Sequence, residues 1–156
     1  MAIRSAAKAI ILHNNNVLIN KCMQIGTNSV YYDLPGGGQH QFESLEEAVV
    51  REVLEETGYK VEIIRFAGIA EEIHTDEQIR KAYRDYSHRI LHIFIVCLAD
   101  TVRVLPAETD FQQEESVWMS LNEADHVFFR PQQLTGKISM LVTNDDPFYL
   151  GCTYIP

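Results

Sequence analysis

Two short apolar runs open the chain, Ala6 to Leu12 and Val17 to Cys22, with His13-Asn14-Asn15-Asn16 between them. Runs of that length separated by turn formers predict a β-hairpin. Val30 to Pro35 then reads as a short extended segment, since the residue before a proline is biased away from helix, and it leads into Gly36-Gly37-Gly38. Beyond the glycines the apolar period changes to that of a helix. Ser44 followed by Glu47 is a capping box, so the helix is expected to start at Ser44 and end near Thr57, with Gly58 as its left-handed terminal residue. At about 100° per residue, Val49, Val50, Val53 and Leu54 share the side expected to pack on a core. Glu52, Glu55 and Glu56 group on the other side, flanked by Arg51 and Leu45.

Lys60 to His74 alternates loosely and suggests strands, with Gly68 as a bulge or bend. Thr75 to Ser87 is polar and reads as a loop or a short helix. Arg89 to Leu98 is a nearly continuous β-rich run and is the expected central strand; Asp100 to Val104 ends that hairpin or continues its ladder. Thr109 to Glu115 is acidic and glutamine-rich, Ser116 to Met119 reads as a strand, and Ser120 with Glu123 forms a second capping box opening a short helix at Leu121 to Asp125. Pro131 suits the first turn of a terminal helix with Leu134, Ile138, Leu141 and Val142 on one face. The tail from Pro147 to Pro156 is expected to be irregular and packed on the domain or on a partner subunit. This order predicts an α/β or α+β fold built on a mixed sheet, as one domain spanning residues 1–156, a length that can bury a core without disulfides.

Charge narrows the function classes. A formal net charge of −9 argues against broad electrostatic binding to nucleic acid or anionic membrane, so no stable nucleic-acid binding is expected. Cys22, Cys97 and Cys152 are odd in number and lack metal-ligand spacing, which suits a reduced compartment. No apolar run reaches the roughly 20 residues of a membrane span, and the N-terminus does not lead into a signal-peptide core. A cytoplasmic protein is the expectation.

The acidic helix face carries the candidate chemistry. Glu52 with Glu55 and Glu52 with Glu56 are like-charge pairs three and four residues apart, each costing roughly 0.2–0.5 kcal/mol. Such a face is either plainly solvated or relieved by a hard divalent cation, which takes oxygen ligands. The preceding glycines let backbone approach a ligand closely.

Gly37, Glu43, Arg51, Glu52, Val53, Glu55, Glu56 and Gly58 stand at the spacings G-x5-E-x7-R-E-U-x-E-E-x-G-U, in which U is bulky and apolar. The stretch resembles the Nudix box. Tyr59 replaces the usual aliphatic residue at its end, and Phe42 stands where many members carry glycine.

The resemblance implies an α/β/α sandwich and a hydrolase that uses Mg²⁺ or Mn²⁺ to direct water at a phosphoanhydride. The expected substrate is a nucleoside diphosphate linked to another moiety. By the same resemblance Glu52, Glu55, Glu56 and the Gly36 carbonyl are the metal ligands, and Arg51 and Glu43 orient the cluster. The base is left open between Glu55, Glu56, Glu115 and its neighbour Glu114. Arg80 and Arg84 are candidates to meet phosphates, as are Lys81, His88 and Arg89. Tyr32 and Tyr31 are candidates to wall the pocket, and Tyr83 or Tyr86 to stack on a base. His74-Thr75-Asp76 lie where some subfamilies carry a proline or tyrosine mark, so the substrate stays open. A nucleotide-sensing module without turnover is the alternative function. A homodimer is compatible with the resemblance.

Overall fold

The computed structural model describes residues 3–108 and 112–156. Its centre is a mixed sheet in which β1 (Arg4–His13) and β2 (Asn16–Met23) form the expected hairpin, and β3 (Val30–Asp33) pairs antiparallel with β2. Asn14 and Asn15 take positive φ, 49° and 60°, which suits the tight turn that joins the two strands.

β1 is the organising strand. Along one edge it runs parallel to β6 (His88–Arg103) from Arg4 to Leu12. Its other edge is shared: Ile11 to His13 pair with β2, whereas Ala6 to Lys8 pair with β4 (Gly36–Gly38). The glycine turn is therefore itself a strand of the sheet, seated where β2 has left β1.

β5 (Tyr59–His74) pairs antiparallel with β6. The expected strands between Lys60 and His74 are thus one long strand. It is interrupted by register shifts, one of them between Phe66 and Gly68 as expected for a bulge. The predicted central strand is longer than Arg89 to Leu98, because Asp100 to Arg103 continues the same ladder. β7 (Gln113–Ser120) pairs with β2. Thr109 to Phe111, the start of the acidic glutamine-rich stretch, lie outside the described residues.

The tail departs from expectation. Phe148–Ile155 is strand β8, which pairs parallel with β5 and completes the order β3-β2-β1-β6-β5-β8. Its partner lies some eighty residues away, so no local pattern marks it. The terminal helix also differs: a 3-10 turn over Gln132–Leu134 is separated from α4 (Ile138–Thr143) by Gly136 at φ 73°. α2 (Glu77–Ala82) resolves the Thr75 to Ser87 alternative as a short helix, capped by Asp76 on the N–H groups of Gln78 and Ile79. α3 (Leu121–Ala124) carries the second capping box complete.

Side chains alternate across β1, and the two cores follow. Ala6 and Ile10 pack with Leu91, Ile93, Phe129, Leu134, Ile138 and Leu141 on one face. Ala7, Ala9 and Ile11 pack with Ala48, Val49 and Val53 of α1 (Leu45–Thr57) on the other. Helical segments cover both faces of a mixed sheet, the α/β/α layering that the family resemblance implied.

Candidate active site

α1 is built as expected at both ends. Ser44 Oγ accepts from the Glu47 N–H at 3.1 Å, Glu47 Oε2 accepts from the Ser44 N–H at 2.8 Å, and Gly58 adopts φ 79°. Its buried face is rotated from the one expected. Ala48, Val49, Val53, Glu56 and Thr57 are buried, and Val50 and Leu54 only half so. Glu56 is seven residues from Val49, hence about 20° away around the helix. It belongs to the core side. An apolar count alone assigns a carboxylate to solvent, but a carboxylate can be buried where hydrogen bonds replace water.

Those bonds come from β4 and β2. Glu56 Oε2 accepts from the Gly36 N–H at 3.1 Å and from Asn20 Nδ2 at 2.9 Å. Asn20, wholly buried, accepts in turn on Oδ1 from Ser116 Oγ at 2.9 Å and Gln113 Nε2 at 3.2 Å. Three strands thereby hold one carboxylate.

Arg51 organises the other half of the site. Its Nε and Nη2 form a fork on Glu43 at 2.6 and 3.0 Å, its Nη1 donates to Glu52 at 2.9 Å and Glu55 at 3.3 Å, and Nη2 also reaches the Gly38 carbonyl at 3.0 Å. Charge-assisted forks of this kind fix direction as well as energy. The Arg51 hydrogen bonds hold the Glu43 carboxyl down at about 2, well below the usual carboxylate range. Arg51 is shifted upward, mainly by Glu43 and secondarily by Glu52. Arg51 and Glu43, expected to orient the cluster, are thus joined to each other and, through Arg51, to Glu52 and Glu55.

The glycines make room. A Cβ on Gly36, which sits at φ 137°, would lie 2.1 Å from the Ala7 carbonyl oxygen, and one on Gly37 would lie 2.6–2.8 Å from the Glu52 carboxylate. Any side chain at either position would drive β4 off β1 or Glu52 off the turn. Phe42 takes φ 68° where glycine is common in the Nudix box, and its ring is 98% exposed.

The carboxylates supply an all-oxygen donor set, which fits a hard cation such as Mg²⁺ or Mn²⁺. Among the described residues no three acidic, histidine or cysteine side chains converge as a ready metal cluster, because Glu52 and Glu55 are drawn to Arg51 while Glu56 is drawn to Gly36 and Asn20. Loading an ion requires Glu52 and Glu55 to loosen their hold on Arg51. The Gly36 carbonyl, expected as a ligand, accepts from Lys8 Nζ at 2.9 Å.

Glu56 also lines a cleft of about 250 Å³ with Arg103, Pro106, Gln113, Glu114, Glu115 and Ser116. Glu115 and Glu114 thus share a cleft with one box glutamate, Glu56. Glu115 lies opposite Lys21 across the β2–β7 ladder and pairs with it at 3.8 Å. The expected substrate contacts are not gathered here. Tyr32 packs its ring 6.4 Å from that of Phe129, in the core on the face away from α1. Arg80 donates to the His74 carbonyl from α2, and Arg84 is exposed beyond it.

Two residues escaped the sequence reading, Asn20 and Lys8. Each is a polar residue inside an apolar strand run, and that misfit was the available signal. Neither run says what the side chain meets.

The NUDIX domain family matches residues 3–138 of the chain. A NUDIX hydrolase from Nitrosomonas europaea superposes with a TM-score of 0.70 at 18% identity, covering 99% of this chain and 80% of its own. A MutT protein from Bacillus halodurans gives 0.69 at 20% identity over 99% and 92%. An ADP-ribose pyrophosphatase from Streptococcus suis gives 0.62 at 18% over 97% and 100%. With the box intact, its glycines seated against β1 and its carboxylates gathered by one arginine, the chain belongs to the Nudix family.

Proposed function

We propose that the protein is a divalent-metal-dependent hydrolase that cleaves the phosphoanhydride bond of a nucleoside diphosphate linked to another moiety, by attack of water on phosphorus. The observation that carries this reading is the Arg51 hub, which draws Glu43, Glu52 and Glu55 against the glycine turn while Glu56 is locked to the Gly36 N–H. Every box carboxylate is present and engaged. A sensor without turnover has no use for all of them.

Glu52, Glu55 and Glu56 would hold Mg²⁺ or Mn²⁺, which when bound neutralises phosphate charge and acidifies the attacking water. Arg51 sets the rotamers of Glu52 and Glu55, and Glu43 fixes Arg51. Glu56 is immobilised by its donors, which suits a ligand better than a group that must gain and release a proton. That leaves Glu55, partly exposed beside Arg51, or Glu115 and Glu114 in the cleft, to accept the proton of the water. Arg80 on α2 and Arg84 in the turn after it are proposed to meet a distal phosphate. The ADP-ribose pyrophosphatase among the similar structures is consistent with a linked nucleoside diphosphate as substrate.

The test is turnover. Purified protein is incubated with Mg²⁺ or Mn²⁺ and a panel of nucleoside triphosphates, ADP-ribose, nucleotide sugars and dinucleoside polyphosphates, and the products are separated by chromatography. Metal-dependent cleavage of one compound, lost in Glu55→Gln and Glu56→Gln proteins that remain folded, is the expected outcome. Tight nucleotide binding by calorimetry without cleavage across the panel would establish the sensor instead.

A further inference from the structure

Lys8 is a lysine with 5% of its surface exposed, set in β1 directly opposite Gly36 in the β1–β4 ladder. Its Nζ donates to the Gly36 carbonyl at 2.9 Å, the Leu34 carbonyl at 3.1 Å and Asp33 Oδ2 at 3.1 Å. An ammonium has three N–H donors, and all three of these acceptors lie within hydrogen-bond reach of it. Asp33 supplies the counter-charge that a buried ammonium requires.

The same residue is held through its other peptide, because the Gly36 N–H donates to Glu56. Gly36 is thus gripped by a cation at its oxygen and an anion at its nitrogen. A divalent ion bound to that oxygen would stand about 2.1 Å from it. It would therefore lie no more than about 5 Å from the Lys8 nitrogen, two positive charges on one buried carbonyl.

We propose that Lys8 takes the place of a metal ion at the Gly36 carbonyl. The ion of this enzyme is then held by the carboxylates of Glu52, Glu55 and Glu56 without the backbone oxygen. Lys8 is a positioning residue: it holds Gly36 by the carbonyl that follows the N–H given to Glu56, and so fixes the residue between the two bonds. The inference rests on the hydrolase reading above and narrows its metal site.

Pulsed EPR tests it with Mn²⁺ alone, added to protein in which glycine carries ¹³C at its carbonyl carbon. A carbonyl that ligates through oxygen puts that carbon roughly 3 Å from the ion, close enough for a resolved hyperfine coupling. The wild type is expected to bind Mn²⁺ and show no such coupling. Lys8→Met is expected to gain it and to bind Mn²⁺ severalfold more tightly. A coupling in the wild type overturns the proposal, and this holds even if Lys8→Met does not fold. So does a folded Lys8→Met protein with unchanged affinity and no coupling. A wild type that binds no Mn²⁺ overturns the hydrolase reading itself, and the proposal with it.

Discussion

Glu43 shows how one side chain ties the site to the stability of the fold. Its carboxyl titrates near 2 in the folded protein against an ordinary value of 4.5, chiefly because of the Arg51 hydrogen bonds. A folded-state value below the unfolded one contributes stability that is present above about pH 4.5 and is lost as pH falls toward 2. Glu43→Gln should therefore lower the urea midpoint clearly at pH 7, and the gap from wild type should close progressively between pH 4.5 and pH 2. A gap that stays constant with pH would mean that Arg51 gains nothing from the charge. Asn20→Ala removes the side-chain donor to Glu56 and the acceptor of Ser116 and Gln113. Each hydrogen bond lost contributes about 0.5–1.5 kcal/mol. A fall of several degrees in Tm is expected, with lower kcat and weaker Mn²⁺ binding at unchanged KM. The conservative Ser116→Ala change should reproduce only a fraction of this. The box residues were legible because spacing alone specifies them. Asn20 and Lys8 were visible only as polar intrusions, since the partners that explain them lie 36 and 28 residues away in sequence.

Among the elements, α1 was read correctly at its ends and for Val49, Val50 and Val53 on its packing side, but not for Glu56, which that side also buries. Capping is local, so Ser44, Glu47 and Gly58 announce themselves within a few residues. Which side is buried depends on what waits there, and the donors for Glu56 come from β2 and β4. The cap should behave independently of the site. Ser44→Ala removes an exposed side-chain acceptor for the Glu47 N–H, a loss of about 1 kcal/mol. For a chain of this size that lowers Tm by about 2–4 °C, measurable by calorimetry. The short helix expected from Pro131 was broken by Gly136, whose positive φ no helix interior accommodates. A helical apolar spacing from Leu134 to Leu141 persists across the break because both pieces pack on the same core.

At the scale of the whole molecule, the mixed sheet followed from the order of periodicities and its layering from the family resemblance, whereas the edge of the sheet followed from neither. β8 pairs in parallel with β5 from Gly68 to His74, and it is a partly exposed strand with a glycine at its centre, so neither alternation nor a turn signal marked it. Removing residues 147–156 should uncover the backbone of β5 and strip Phe148 and Leu150 from the core they pack against. An exposed edge of that length favours self-association. Size-exclusion chromatography of the shortened chain should show oligomers or aggregate where the full chain gives one defined peak.

The Arg51 hub has one more consequence. Six acidic side chains lie between Glu43 and Glu56, and the guanidinium of Arg51 answers three of them. The protein carries a provisional counter-ion of its own. On the proposed hydrolase reading, maturation would have an order: the metal would enter a chain that is already folded, by displacing a resident charge rather than by nucleating structure. Chelation should accordingly shift the melting midpoint by a few degrees at most, the size of ordinary mass-action stabilisation, while an Arg51→Met chain should become dependent on added Mg²⁺ to reach a stable fold.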